Sequence, residues 1–189
     1  MRGACFAIVG PSGVGKDTLI VAARNAVPEL HVVRRVITRP SSAGGEDFDG
    51  VSEAEFAARS AAGAFVLERE AHGLRYGIPA GVCGVLRSGR PVLFNGSRAM
   101  LEQAAEVFGD LHVVHVSARR EVLAARLEAR GREDAGAIER RLERAEMPLP
   151  HGLRVSEIDN SGVLGDAVAR LVAVLTHAVP LACGQPQSL

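Results

Sequence analysis

The sequence predicts an α/β fold in which a central parallel sheet is flanked by helices. Apolar runs of strand length alternate with segments of helical spacing along nearly the whole chain, and a glycine-rich loop joins the first run to the first helix. The 189 residues suffice for one domain with a substantial core. Strands separated by helices pair in parallel through right-handed crossovers.

The elements follow in order. Residues 4–9 are continuously apolar and bounded by glycine, as a strand buried on both faces should be. A helix is expected over 16–26 and a strand over 31–36. The polar, glycine-rich stretch 38–50 supplies no core face and reads as a substrate loop. Ser52 and Glu55 form a capping-box pair, so a short helix starts there and ends near Gly63. Short strands are expected at 65–67 and around Tyr76, a helix over 80–86 and a strand over 91–95. The alternation then resumes with a helix over 97–108, a strand over 111–116 and a helix over 119–130, whose Val122, Leu123 and Leu127 have helical spacing. Gly131 interrupts it before an arginine-rich helix over 135–146, which Pro148 and Pro150 stop. A last strand over 154–158 and a closing helix over 166–178 complete the fold, with a frayed tail beyond Pro180.

Composition narrows the function. Lys plus Arg (22) balance Asp plus Glu (22), so no overall positive field recruits nucleic acid. Cys5, Cys83 and Cys183 are scattered and odd in number, which argues against a disulfide framework or a zinc site and for reduced thiols. The N-terminus has no signal-peptide pattern, and no apolar span has membrane length. A cytoplasmic protein with neither membrane nor nucleic-acid partner is expected.

Gly10-Pro11-Ser12-Gly13-Val14-Gly15-Lys16 lies between the first strand and the first helix. This is the context in which bare backbone N–H groups wrap a nucleotide's phosphates at a helix N-terminus and a lysine neutralises the β/γ oxygens. All seven residues are expected nucleotide ligands, with Lys16 also catalytic. Residues 1–189 thus read as a single P-loop kinase domain using ATP with Mg²⁺. Asp17 departs from the pattern, standing where Ser or Thr usually meets the metal, with Thr18 one residue later. A carboxylate about 4 Å from a phosphate charge is repelled by roughly 4 kcal/mol at an effective dielectric of about 20. Asp17 therefore either helps to hold Mg²⁺ or turns away to cap the helix. Asp17 and Thr18 are both candidate metal ligands.

The phosphate loop, Thr38-Arg39-Pro40, Gly45-Glu46-Asp47, Ser52-Glu53-Ala54-Glu55-Phe56 and Gly73-Leu74-Arg75-Tyr76-Gly77 occur in an order that resembles the guanylate kinase superfamily. Within it, Gly15-Lys16-Asp17, Gly44-Gly45-Glu46-Asp47, Ala71-His72-Gly73-Leu74-Arg75-Tyr76-Gly77, Asn95-Gly96-Ser97-Arg98 and Asp159-Asn160-Ser161-Gly162 are similar to ribose 1,5-bisphosphate phosphokinases of phosphonate degradation. The resemblance implies ATP plus ribose 1,5-bisphosphate giving ADP plus 5-phosphoribosyl 1-diphosphate, on a small phosphorylated sugar. It also implies a small acceptor-binding insertion over about 38–80 and an Arg-rich lid over about 128–140.

Departures from true guanylate kinases agree with a base-free acceptor. Ser41 or Ser42 replaces their second phosphate-gripping arginine, Leu67 falls where a guanine-binding glutamate is expected, and Asn95 ends a strand where an acid is usual. Glu68 restores the glutamate if the alignment shifts by one residue. A site built to hydrogen-bond guanine loses discrimination when its polar readers go. The rival readings are a guanylate or other nucleoside monophosphate kinase, and a catalytically inactive binding module of the same fold.

Transfer to a phosphate acceptor needs positioning and charge stabilisation, and no general base. Arg126, Arg130, Arg132, Arg140 and Arg141 flank Gly131, where a lid closes over a triphosphate or, alternatively, a solvated face pairs with neighbouring glutamates. The resemblance singles out Arg130 and Arg141 as catalytic. Arg39 suits bidentate phosphate binding, Tyr76 offers a hydroxyl to the acceptor, and Glu46 suits a sugar hydroxyl or a metal-bound water. With Asn95 they form the expected acceptor set. Asn160 resembles the segment bordering adenine, though Asn-Ser-Gly is also a good turn.

Overall fold

The computed structural model describes residues 2–41, 46–129, 131, 135–145 and 148–177. The first apolar run forms β1 (Cys5–Val9), buried along its whole length. It leads through the glycine loop into α1 (Lys16–Ala26), whose Leu19 and Ala23 lie four residues apart and face inward. β2 (His31–Val32), β7 (Val92–Asn95), β8 (Leu111–Ser117) and β9 (Arg154–Asp159) join β1 in a parallel sheet ordered β2-β7-β1-β8-β9.

Each face of β1 feeds a different core. Phe6 and Ile8 pack with Leu19, with Leu123 and Leu127 of α5 (Arg120–Ala129), with Ile138 and Leu142 of α6 (Ala135–Ala145), and with Leu171 and Leu175 of α7 (Leu164–His177). Cys5, Ala7 and Val9 pack with Leu86 of α3 (Val82–Arg87) and with Leu101 and Phe108 of α4 (Leu101–Phe108). Each fully buried large apolar side chain contributes about 1.5–3 kcal/mol, so a strand covered on both sides is a rigid base for the loop that leaves it.

A second sheet, ordered β4-β3-β6-β5, is built from β3 (Arg35–Ile37), β4 (Phe48–Gly50), β5 (Phe65–Ala71) and β6 (Leu74–Pro79). β3 and β4 are parallel, while β6 runs antiparallel to both β3 and β5. Leu67 and Ile78, cross-strand partners, insert one face of this sheet into the core shared with α3 and α4. The other face carries α2 (Glu53–Ala61), whose first turn is capped by Ser52 Oγ accepting from the Glu55 N–H at 3.1 Å.

The structure corrects four expectations. The strand expected over 31–36 is two strands in different sheets. Val33 N–H still donates to Leu93 O, after which Arg35 pairs with β4, and a continuous run of strand-forming residues does not reveal such a change of sheet. The stretch 38–50 does supply a core residue: Phe48 is 4% exposed and sits in β4. The strands expected at 65–67 and around Tyr76 form one longer hairpin, turning at His72 with φ 54°. The helix expected over 97–108 opens with a 3₁₀ turn at Arg98–Met100.

Candidate active site

Gly10 adopts φ 151°, and a Cβ there would lie 2.3 Å from the Val116 carbonyl oxygen, so the loop passes β8 with no room for a side chain. Gly15, at φ 98° and ψ 20°, is the N-cap of α1, and no side chain caps the helix. Its amides and dipole thus face the loop, the arrangement that receives an anion. Lys16 Nζ donates to the Gly10 and Pro11 carbonyls at 2.8 and 3.1 Å, bending its ammonium back over the loop. Ser12, Asp17 and Thr18 are exposed, the last two in the first turn of α1.

The loop is held from below. Asn160, only 3% exposed, donates from Nδ2 to the Val14 carbonyl at 2.7 Å, and Arg126 Nη1 donates to the same oxygen at 3.3 Å. A Cβ on Gly15 would approach Asn160 Nδ2 to 2.5 Å. Asn160 was expected beside adenine; the structure places it beneath the phosphate loop with its donor committed to loop backbone. The turn that presents it is fixed by Ser161 Oγ, which accepts from the Arg119 N–H at 2.7 Å, and by Ser161 N–H, which donates to Asp159 Oδ1 at 2.9 Å. The second bond and the Ser161 hydroxyl hold the Asp159 carboxyl below its ordinary range.

Three of the expected acceptor residues, Asn95, Glu46 and Tyr76, are linked through Arg35 at the end of β7, next to the strand that feeds the loop. Asn95 ends β7 opposite Ile8 of β1, and its Nδ2 donates to Glu46 Oε2 at 3.0 Å. Arg35 grips the same carboxylate, Nε to Oε2 at 3.2 Å and Nη2 to Oε1, and its guanidinium carbon lies 5.2 Å from the Tyr76 ring centroid. Sequence reasoning did not find Arg35: it stands four residues before Arg39, but residues 31–39 show no strict alternation that would mark a shared face. Arg39 stacks at 4.3 Å over Phe48 and lines an open cavity of about 420 Å³ with Thr38, Pro40 and Ser52. Arg69 is the cross-strand partner of Tyr76 and shares its face of the sheet, and its buried Nε has no hydrogen-bond partner.

The base-reading positions resolve clearly. Leu67 is 2% exposed and belongs to the core. Glu68 faces α2 instead: Ser60 Oγ donates to its carboxylate at 2.8 and 3.0 Å, and Arg75 Nη2 donates at 3.3 Å. Neither offers a free acidic group to a purine.

On the lid side, Ile138 and Leu142 anchor α6 to the core, and Arg120 pairs with Glu139 between α5 and α6. Arg141 lies half-buried on α6 and Arg140 exposed beside it. Arg130, Arg132 and residues 42–45 lie outside the described residues.

A five-stranded parallel sheet whose first strand runs through a glycine-rich, lysine-tipped loop into an uncapped helix defines a P-loop kinase. A solved guanylate kinase from Anaplasma phagocytophilum shares this fold, with a TM-score of 0.64 at 17% identity over 93% of this chain and 85% of that one. The sequence is 54% identical over 175 residues to a ribose 1,5-bisphosphate phosphokinase PhnN of Ruegeria sp., covering 92% of each chain. It is 48% identical over 174 residues to another of Agrobacterium fabrum, covering 90% of this chain and 95% of that one. The chain belongs to the ribose 1,5-bisphosphate phosphokinase family. No family model matches the chain.

Proposed function

We propose that this chain transfers the γ-phosphoryl group of ATP to ribose 1,5-bisphosphate, giving ADP and 5-phosphoribosyl 1-diphosphate. An oxygen of the acceptor's 1-phosphate forms the new P–O bond as the bond to ADP breaks, and the acceptor is already ionised. Family membership over nearly the whole chain supports the reading. The observation that carries the choice of acceptor is that neither of the two base-reading positions presents a free acid: Leu67 is in the core and the Glu68 carboxylate is engaged by Ser60 and Arg75.

The roles are assigned accordingly. Residues 10–16 bind the nucleotide phosphates, and Lys16 leaves the Gly10 and Pro11 carbonyls to neutralise them. Glu46, Asn95, Tyr76 and Arg39 bind the acceptor, so the second sheet with α2 is the acceptor-binding part of a single kinase domain. Arg141 and Arg130 belong to a lid formed between α5 and α6. Mg²⁺ suits Asp17 and Thr18: both are oxygen donors exposed in the first turn of α1. Among the described residues there is no group of three or more metal-ligating side chains. Mg²⁺ is commonly held by one or two side chains together with phosphates and water, and it would neutralise the nucleotide's charge. Among the described residues no helix is long and apolar enough to cross a membrane. Cys5 and Cys83 are free thiols, and we place the enzyme in the reducing cytoplasm.

The test is incubation with Mg-ATP and, separately, ribose 1,5-bisphosphate, GMP or buffer, followed by mass-resolved chromatography. The expected result is 5-phosphoribosyl 1-diphosphate with little GDP. Efficient GDP formation would overturn the acceptor assignment, and the absence of turnover with every acceptor would favour an inactive binding module.

A further inference from the structure

The acceptor site contains a problem of charge. Two phosphate monoesters bring about −1.5 to −2 each at neutral pH, yet the group placed to receive the sugar is the carboxylate of Glu46. Its side chain is only 14% exposed, so water screens it little. An uncompensated carboxylate there would repel the ligand the site is built to take.

We infer that Arg35 is a positioning residue for acceptor recognition: it neutralises Glu46 and fixes which of its lone pairs faces the sugar. This rests on the acceptor reading above. Arg35, itself 12% exposed, reaches Oε2 through Nε at 3.2 Å and Oε1 through Nη2. Asn95 Nδ2 takes a second site on Oε2 at 3.0 Å. A carboxylate oxygen accepts at two lone pairs. Oε2 is therefore filled, and Oε1 keeps one accepting direction, enough for one hydroxyl donor. The Tyr76 ring, 5.2 Å from the Arg35 guanidinium carbon, backs the cation and limits its swing. The acceptor thus meets a neutral pair with a single directed acceptor, in place of a bare anion.

Arg35 was not among the residues singled out by sequence, because its partner Glu46 lies 11 residues on, and Asn95, at the end of β7 in the parallel sheet, is reached only through Glu46.

The experiment is steady-state kinetics of the full chain as wild type, Arg35→Met, Glu46→Gln, the double variant and Arg35→Lys, with ribose 1,5-bisphosphate and ATP varied separately. Arg35→Met is expected to raise the KM for the sugar bisphosphate by about thirtyfold while kcat and the KM for ATP move by less than about threefold. Adding Glu46→Gln to Arg35→Met should bring the acceptor KM back to about that of Glu46→Gln alone, because the repulsive charge is gone. Arg35→Lys keeps the charge without the two-point grip and should raise it about three- to tenfold. An acceptor KM unchanged in Arg35→Met, or effects that multiply in the double variant as for an independent phosphate ligand or a merely structural residue, would overturn the inference. If thermal melting shows that Arg35→Met is unfolded, Arg35→Lys decides, and an unchanged acceptor KM there has the same meaning. A wild-type chain that does not convert the sugar bisphosphate overturns the acceptor assignment and this inference with it; conversion with unshifted variants overturns this inference alone.

Discussion

Asn95 Nδ2 donates to Glu46 Oε2 at 3.0 Å across 49 residues of sequence, joining the end of a core strand to the segment that leads into β4. Replacing the donor by an acid would set two carboxylates against each other, raising the pKa of one of them. Asn95→Asp is expected to lower kcat/KM for the sugar bisphosphate by about a hundredfold at pH 8 and to recover part of it at pH 6, where the pair shares a proton. Acceptor kinetics at the two pH values check this; an equal loss at both would contradict it.

Lys16 is the loop's own cation. Lys16→Met should reduce kcat by about a hundred- to a thousandfold, the range for loss of one group that stabilises developing charge. Melting temperature should hardly change, since the side chain's hydrogen bonds to the Gly10 and Pro11 carbonyls lie within the loop itself. ADP release at saturating ATP measures the first, and a thermal melt the second.

Asn160 holds the loop from beneath. Asn160→Ala leaves the Val14 carbonyl without its shorter hydrogen bond and should cost about 1–3 kcal/mol of stability while raising the KM for ATP. Gly15→Ala should be worse for ATP, because the new Cβ meets Asn160 Nδ2 at 2.5 Å and the backbone stands at φ 98°. Urea denaturation and nucleotide titration separate the two effects.

His112 is 6% exposed, with Nε2 2.8 Å from Ser156 Oγ and a buried Nδ1 that has no partner. Burial first, then Arg154, holds its pKa below the ordinary 6.5, against a smaller raising effect of Asp110. Burial and Arg90 lower His31 likewise. For a lowered histidine the unfolded chain takes up the proton first. Stability should therefore be full above about pH 7 and fall as pH drops below 6.5, by at most about 1.4 kcal/mol per pH unit per proton. His112→Gln should flatten the slope measured by urea unfolding between about pH 5.5 and 7.5.

Asp17→Ser restores the residue type usual at that position. If Asp17 holds the metal, directly or through water, the variant should need more Mg²⁺ for half-maximal turnover. A magnesium titration with undiminished affinity and rate would leave Asp17 as a helix-terminal charge only.

The parts legible in the sequence are those whose physics is local. The phosphate loop announces itself by glycine and lysine spacing, and α1 and the Ser52 cap follow from adjacent residues. Glu46, Asn95 and Tyr76 were anticipated, and the structure brings them together around Arg35. Arg35 itself was hidden because its role comes from a partner beyond a polar, glycine-rich stretch. The split of 31–36 between two sheets was hidden for a related reason: a continuous run of strand-forming residues does not say which sheet each of them joins. Asn160 stands under the phosphate loop, a placement not legible in the sequence, since a turn motif does not say what its side chain lies under.

The ammonium of Lys16, folded onto the Gly10 and Pro11 carbonyls, acts as the loop's internal competitor for its own ligand. Any anion that enters must draw that cation away from two acceptors already in place. Orthophosphate, touching the loop at one point, offsets little of this exchange, whereas a polyphosphate spans loop, lysine and helix end together. An anion that reaches the helix end as well as the lysine therefore regains more of what the exchange costs than one that touches the loop at a single point.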